Sequence, residues 1–228
     1  MNKNLNPTAS DGDDTAKSFV DQKQEVDLNN WHRKDHFEFF TQFEEPFFGV
    51  TVSIDCTLAY KNAKEQGNSF FLYYLYCALK AANSVEAFKY RIIEKKVFLF
   101  DQIHASATVS RPDETFGFAY MNYHKEAKQF NEEAITVMEQ VRQSKGLHPS
   151  KSGENVIHFS ALPWLNFTSL SHARSFSFPD SIPKISFGKM IEQNGVKTMS
   201  VSIHVHHGLM DGYHVGLFVD KFQLLMNG

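Results

Sequence analysis

Residues 206–214 read His206-His207-Gly208-Leu209-Met210-Asp211-Gly212-Tyr213-His214. The preceding stretch, 196–207, reads as a strand, and Val215, Phe218, Phe222 and Leu225 then recur at helical spacing. The quoted residues therefore stand where a strand hands over to a helix. Four of the eleven histidines (His204, His206, His207 and His214) fall within 204–214. Three readings compete. His204 and His206 share one face of a strand and could ligate a metal, although only Asp211 lies nearby in support. The histidines could instead be satisfied structural groups at the rim of a sheet. Or His207, Asp211 and Gly212 act as a unit, H-x-x-x-D-G. A neutral imidazole at a strand end can take a proton near neutral pH, so His207 could deprotonate a hydroxyl as it attacks an acyl group. Asp211, one turn on, would then orient the loop rather than do chemistry.

Outward from this junction, 184–193 and 196–207 flank Asn194-Gly195, a two-residue hairpin signal. Residues 47–55 (FFGVTVSID) alternate as a half-buried strand. A short helix over 57–65 ends at Gly67, and a buried helix follows over 69–83 with Ser69 as N-cap. Strands are expected at 96–100, 104–111 and 115–123, and at 155–170 with an interruption at Pro163. Along 126–145, Ala127, Phe130, Ala134, Val137 and Val141 line one helix face, with Gly146 at the stop. Strands and helices mix without a regular βαβ alternation. The expected class is α+β, with a large mixed β-sheet flanked by helices.

Composition bounds the rest. The 228 residues are 42% apolar, with 22 phenylalanines, 26 acidic against 23 basic side chains and a formal charge of −3. Such a chain buries a core without metal or disulfide, and it carries no basic footprint for nucleic acid. Cys56 and Cys77 make no disulfide framework. No basic-then-apolar leader and no 18-residue apolar run is visible, so the expectation is a cytoplasmic domain with no membrane partner. Residues 1–25 read as a mobile polar extension and 26–228 as one domain.

The 206–214 stretch closely resembles the active-site signature of the chloramphenicol acetyltransferase family. Two further segments match in the same order: Trp31-His32-Arg33-Lys34-Asp35-His36-Phe37 resembles its W-x-R-K-x-H-F segment, and Ser160-Ala161-Leu162-Pro163-Trp164 its S-A-x-P-W strand. The resemblance runs from about Val26 to the C-terminus. It implies a CoA-dependent acyltransferase fold with the sheet extended across a homotrimer interface, acetyl-CoA as co-substrate, no metal, and active sites between subunits. By the same resemblance His207 is the general base and Ser160 the donor to the developing oxyanion. Asp211 and Arg33 form a buried ion pair that holds the catalytic loop. Phe39, Phe40, Phe116, Phe118, Leu170 and His172 line the acceptor site, while Trp164, Ser186 and Lys189 lie toward CoA.

Some positions depart from the family pattern. His204 replaces the usual Gln, and Gly208 the usual Ala or Ser, which is expected to loosen the loop. Phe39-Phe40 stands for Phe-Tyr and loses a hydroxyl, Gly117 and Phe118 replace Ser and Ala, and Met190 replaces an aromatic near the CoA adenine. Leu170-Ser171-His172-Ala173-Arg174 puts two basic residues where the pocket is ordinarily apolar. An unpaired buried Arg174 would be costly, so either the backbone differs there or an anion is close. The leading expectation is acetylation of chloramphenicol. The second keeps the chemistry but takes another hydroxyl-bearing acceptor, one with an anionic group meeting Arg174 or His172. The third is an idle trimer that binds ligands or a metal.

Overall fold

The computed structural model describes residues 22–147, 153–174 and 180–228. Most of the expected polar extension, 1–21, lies outside the described residues. Its last part does not: Lys23–Glu25 forms β1 and pairs antiparallel with β4 (Lys96–Phe100), which also pairs with β3 (Tyr90–Ile93).

The main sheet contains β2 (Phe47–Asp55), β5 (His104–Ser110), β6 (Phe116–Met121), β7 (Val156–Ala161), β8 (Lys184–Gln193) and β9 (Val196–His206). Its spatial order is β2-β9-β8-β7-β5-β6, with β5, β7 and β8 parallel and the other pairings antiparallel. The mixed sheet is the one expected. The β8–β9 turn places Asn194 and Gly195 at φ 53° and 79°, as a primed hairpin turn requires. The strand expected over 155–170 ends at Ala161 and does not resume after Pro163, whose ring removes a ladder donor.

Strict alternation divides the sheet into two unlike faces. Val50, Ile54, Ala105, Ala107, Ala119, Ile157, Phe159, Ile185, Phe187, Val201 and Ile203 join one apolar cluster. The helices α2 (Thr57–Glu65), α3 (Phe70–Asn83), α4 (Ala127–Gln143) and α5 (Gly212–Met226) supply much of the remainder. Ser69 caps α3, its side chain accepting from Leu72 N–H. The opposite face is set by register. It carries Ser106, His158, Lys184 and His204 in one row and Thr108, Ser160, Ser186 and Ser202 in the next. Cys56 and Cys77 are buried free thiols, with burial raising them to about 11 and about 12, so both are inert.

Candidate active site

His207 directly follows β9. Its N–H donates to Pro46 O at 2.8 Å, which ties it to the entry of β2. Phe40, the last residue of α1 (Lys34–Phe40), stacks flat on the imidazole, with ring centroids 3.9 Å apart and planes within 5°. Phe48 leans on the ring from another side at 4.6 Å. Among the described residues Nδ1 is buried without a partner, which leaves Nε2 as the nitrogen an incoming hydroxyl could meet. Two aromatic walls thus fix the ring plane, with Phe40 packed directly on the imidazole.

Arg33 precedes α1 and is only 5% exposed, not the exposed helix arginine that its position permitted. Its Nη1 donates to Asp211 Oδ2 at 2.8 Å, and Nη2 donates to His207 O at 3.1 Å. Asp211 also caps α5, accepting from Tyr213 N–H at 3.0 Å, and its Oδ1 lies 2.9 Å from His214 Nδ1. Burial pushes the Asp211 carboxyl up, but hydrogen bonds from Arg33 and His214 and their charges outweigh it and bring it to about 2. The pair joins the helix cap to the backbone of His207. His214 belongs to the same cluster, a role its presence in the motif suggested only in hindsight.

Gly208 sits in a closely packed turn. A Cβ there would stand 3.1 Å from the His206 ring and 3.3 Å from Phe37 Cα, so a larger residue would need a shift of a few tenths of an ångström. His206 Nδ1 accepts from Gly208 N–H at 3.1 Å, and burial with nearby Arg174 pushes its pKa down to about 4. It is a neutral structural histidine. His204 Nε2 faces Ser202 Oγ at 3.1 Å, and its ring lies directly across Gly49.

Ser160 lies elsewhere. It pairs in register with Ser186 of β8, and Ser186 with Ser202 of β9. Among the described residues nothing hydrogen-bonds its hydroxyl. His207 is five residues beyond Ser202 and two strands away, so at strand spacings His207 and Ser160 stand about 19 Å apart. One chain does not bring both onto one carbonyl. The expected acceptor residues are split in the same way. Phe39 (57% exposed) and Phe40 sit beside His207 at the β2 end, whereas Phe116 and Phe118 lie on β6, the opposite edge of the sheet. Ser186 is buried on the polar face, Trp164 is 70% exposed in the segment after β7, and Lys189 is exposed on β8.

Leu170 and His172 lie over the polar face. His172 Nε2 is 3.4 Å from Ser186 Oγ and its ring meets His204 edge-on at 4.8 Å. Burial, with His204 and Lys184 nearby, lowers His172 to about 4, leaving it neutral. Arg174 is not an unpaired buried cation: it forms an ion pair with Glu45 and lies over the Phe47 ring at 3.7 Å. Lys184 is likewise paired, with Asp180. The basic residues that argued for an anionic acceptor are therefore neutral or neutralised. No signal in the sequence connected Arg174 with Glu45, 129 positions away.

The sequence profile of the chloramphenicol acetyltransferase family matches residues 22–223. A chloramphenicol acetyltransferase of Proteus mirabilis is 30% identical over 201 residues, covering 87% of this chain and 92% of that protein. Chloramphenicol acetyltransferase 3 of Escherichia coli is 29% identical over 204 residues, covering 88% and 95%. A solved chloramphenicol acetyltransferase superposes with a TM-score of 0.85 at 31% identity, covering 90% of this chain and 100% of that one. A probable dihydrolipoamide acetyltransferase from Listeria monocytogenes shares the fold at a TM-score of 0.63 and 15% identity, covering 84% and 88%.

Proposed function

The chain belongs to the chloramphenicol acetyltransferase family and is an acyltransferase, and on that footing we propose that it transfers the acetyl group of acetyl-CoA to a hydroxyl of chloramphenicol. His207 Nε2 takes the hydroxyl proton as the oxygen attacks the thioester carbon. The oxyanion of the tetrahedral intermediate accepts a hydrogen bond from Ser160 Oγ–H. Collapse breaks the C–S bond, and the departing CoA sulfur takes back the proton held by His207. The products are the acetyl ester and CoA. The observation that carries the reading is the fixed imidazole: stacked on Phe40, anchored through its N–H to Pro46 and through its carbonyl to Arg33.

The site is composite. His207 with Phe39 and Phe40 comes from one subunit of a homotrimer. Ser160, Phe116, Phe118, Leu170 and His172 come from its neighbour, which supplies the oxyanion donor and acceptor wall. Trp164, Ser186 and Lys189 face CoA. The roughly 19 Å between His207 and Ser160 within one chain supports this division. No helix among the described residues is long and apolar enough to cross a membrane, and we place the enzyme in the cytoplasm, its domain spanning 26–228. Release of CoA thiol from acetyl-CoA and chloramphenicol tests the reaction. Release that falls by about 10³-fold or more in His207→Ala supports it; no release by wild type, or an undiminished rate in the variant, refutes it.

A further inference from the structure

Arg174 is the residue that the family pattern anticipates least, and its surroundings give it a task. It lies in an irregular segment, 162–174, between β7 and the residues leading to β8. The first half of this segment is fastened through the backbone. Leu162 N–H donates to Phe187 O at 2.8 Å, and Lys189 N–H donates to Leu165 O at 2.7 Å. Gly188 allows that approach, since a Cβ there would stand 3.1 Å from Leu165 O. Among the described residues, no backbone-to-backbone bond holds 166–174. Side chains do so instead. Ser200 Oγ donates to Asn166 Oδ1 at 3.2 Å, His204 meets the Leu170 backbone, His172 meets Ser186 and His204, and Arg174 reaches back to β2.

The Arg174 contact is a built one. The guanidinium side chain is 10% exposed, stacks on Phe47 and pairs with Glu45, whose side chain is 46% exposed. Glu45 Oε1 also accepts from Phe47 N–H at 3.0 Å. Between these two residues stands Pro46, whose carbonyl holds the N–H of His207. The segment therefore reaches the serine row through His172 and is fastened to the entry of β2 through Arg174.

We propose that the Arg174–Glu45 pair is a latch that holds residues 168–174 against the polar sheet face, making Arg174 a positioning residue that sets the affinity for the acceptor. The proposal rests on the acetyl-transfer reading above. Releasing the latch frees Leu170 and His172 to move, and the acceptor loses a preformed wall. Trp164 stays in place, because its end of the segment is tied to β8 by the backbone. The acceptor side and the CoA side should thus separate in kinetics.

The experiment compares wild type with Arg174→Ala, Arg174→Lys and Glu45→Gln, the last retaining an acceptor for Phe47 N–H. Steady-state kinetics with chloramphenicol and acetyl-CoA are read beside hydrogen–deuterium exchange of the 168–174 amides. Arg174→Ala and Glu45→Gln should raise KM for chloramphenicol about tenfold, with kcat and KM for acetyl-CoA held within about twofold. Exchange over 168–174 should quicken in both variants and remain near wild type elsewhere. Arg174→Lys, which keeps a cation over Phe47, should lie between wild type and Arg174→Ala. An unchanged KM for chloramphenicol, an equal rise in KM for acetyl-CoA, or unchanged exchange over 168–174 would overturn the latch. Were wild type itself to turn over no chloramphenicol, the acetyl-transfer reading would fail, and exchange alone would decide the latch.

Discussion

Asp211 couples the stability of the catalytic loop to pH. Its folded pKa, about 2, lies below its ordinary value of 3.8. A depressed carboxyl contributes stability that is complete above the unfolded pKa and disappears as pH falls through the folded one. The contribution should be intact above about pH 5 and lost between about pH 4 and pH 2. Thermal melts of wild type and Asp211→Asn should therefore differ at pH 7 and converge near pH 2; curves offset equally at both would contradict this. At neutral pH the Asn variant should be less stable by about 1–2 kcal/mol, a modest figure because the Asp211 side chain is 32% exposed and solvent screens it. Phe40 gives a second prediction at this scale. Its ring lies 3.9 Å from the His207 ring and nearly parallel to it, so Phe40→Ala should lower kcat about tenfold while Phe40→Tyr keeps most of it. A kcat equal to wild type in Phe40→Ala would show that the base does not need its platform.

Among the elements, β7 shows how a strand is set in place by one side chain. Arg91 is wholly buried and donates to the carbonyl oxygens of Phe88, Tyr90, Glu154 and Val156, joining β3 and the turn before it to the start of β7. Burial lowers its pKa to about 9, with Glu154 and Asp180 opposing, so it stays charged at neutral pH. Arg91→Met should cost about 3 kcal/mol or more, because four carbonyls at a largely buried site lose their donor at once. A denaturant midpoint unchanged in that variant would count against this account of β7. Alternation and turn residues made β2, β8, β9 and the Asn194-Gly195 turn legible from the sequence, since those signals are local. No strand follows Pro163, because the apolar residues there, Leu165 and Phe167 among them, serve an irregular segment packed on Gly188. Lys23–Glu25 looked like the end of a polar tail, because an exposed edge strand carries no apolar period. The helix α1 was not foreseen either, being short and framed by a tract that had meaning only as part of a motif.

At the scale of the whole molecule, the sheet separates the parts of the chemistry. His207 stands at the end of β9, Ser160 lies two strands away on the polar face, and the expected phenylalanine pairs lie toward opposite edges. His207, Asp211 and Arg33 were legible because a spaced motif names them, and the Arg33–Asp211 contact at 2.8 Å agrees with the pairing that the resemblance implied. The Glu45–Arg174 contact was not, since two ordinary charged residues far apart in sequence leave no pattern when they meet only in the fold. The proposed trimer likewise has no periodicity to announce it; the observation behind the proposal is that His207 and Ser160 lie far apart within one chain. The most direct test mixes two crippled proteins, His207→Ala and Ser160→Ala, by unfolding them together and refolding at equal amounts. If each site takes His207 from one subunit and Ser160 from its neighbour, about one site in four is then intact. The mixture should regain about a quarter of wild-type activity, far above either variant refolded alone. Activity no greater than the average of the two variants would show that base and serine act from the same chain, contrary to the composite site.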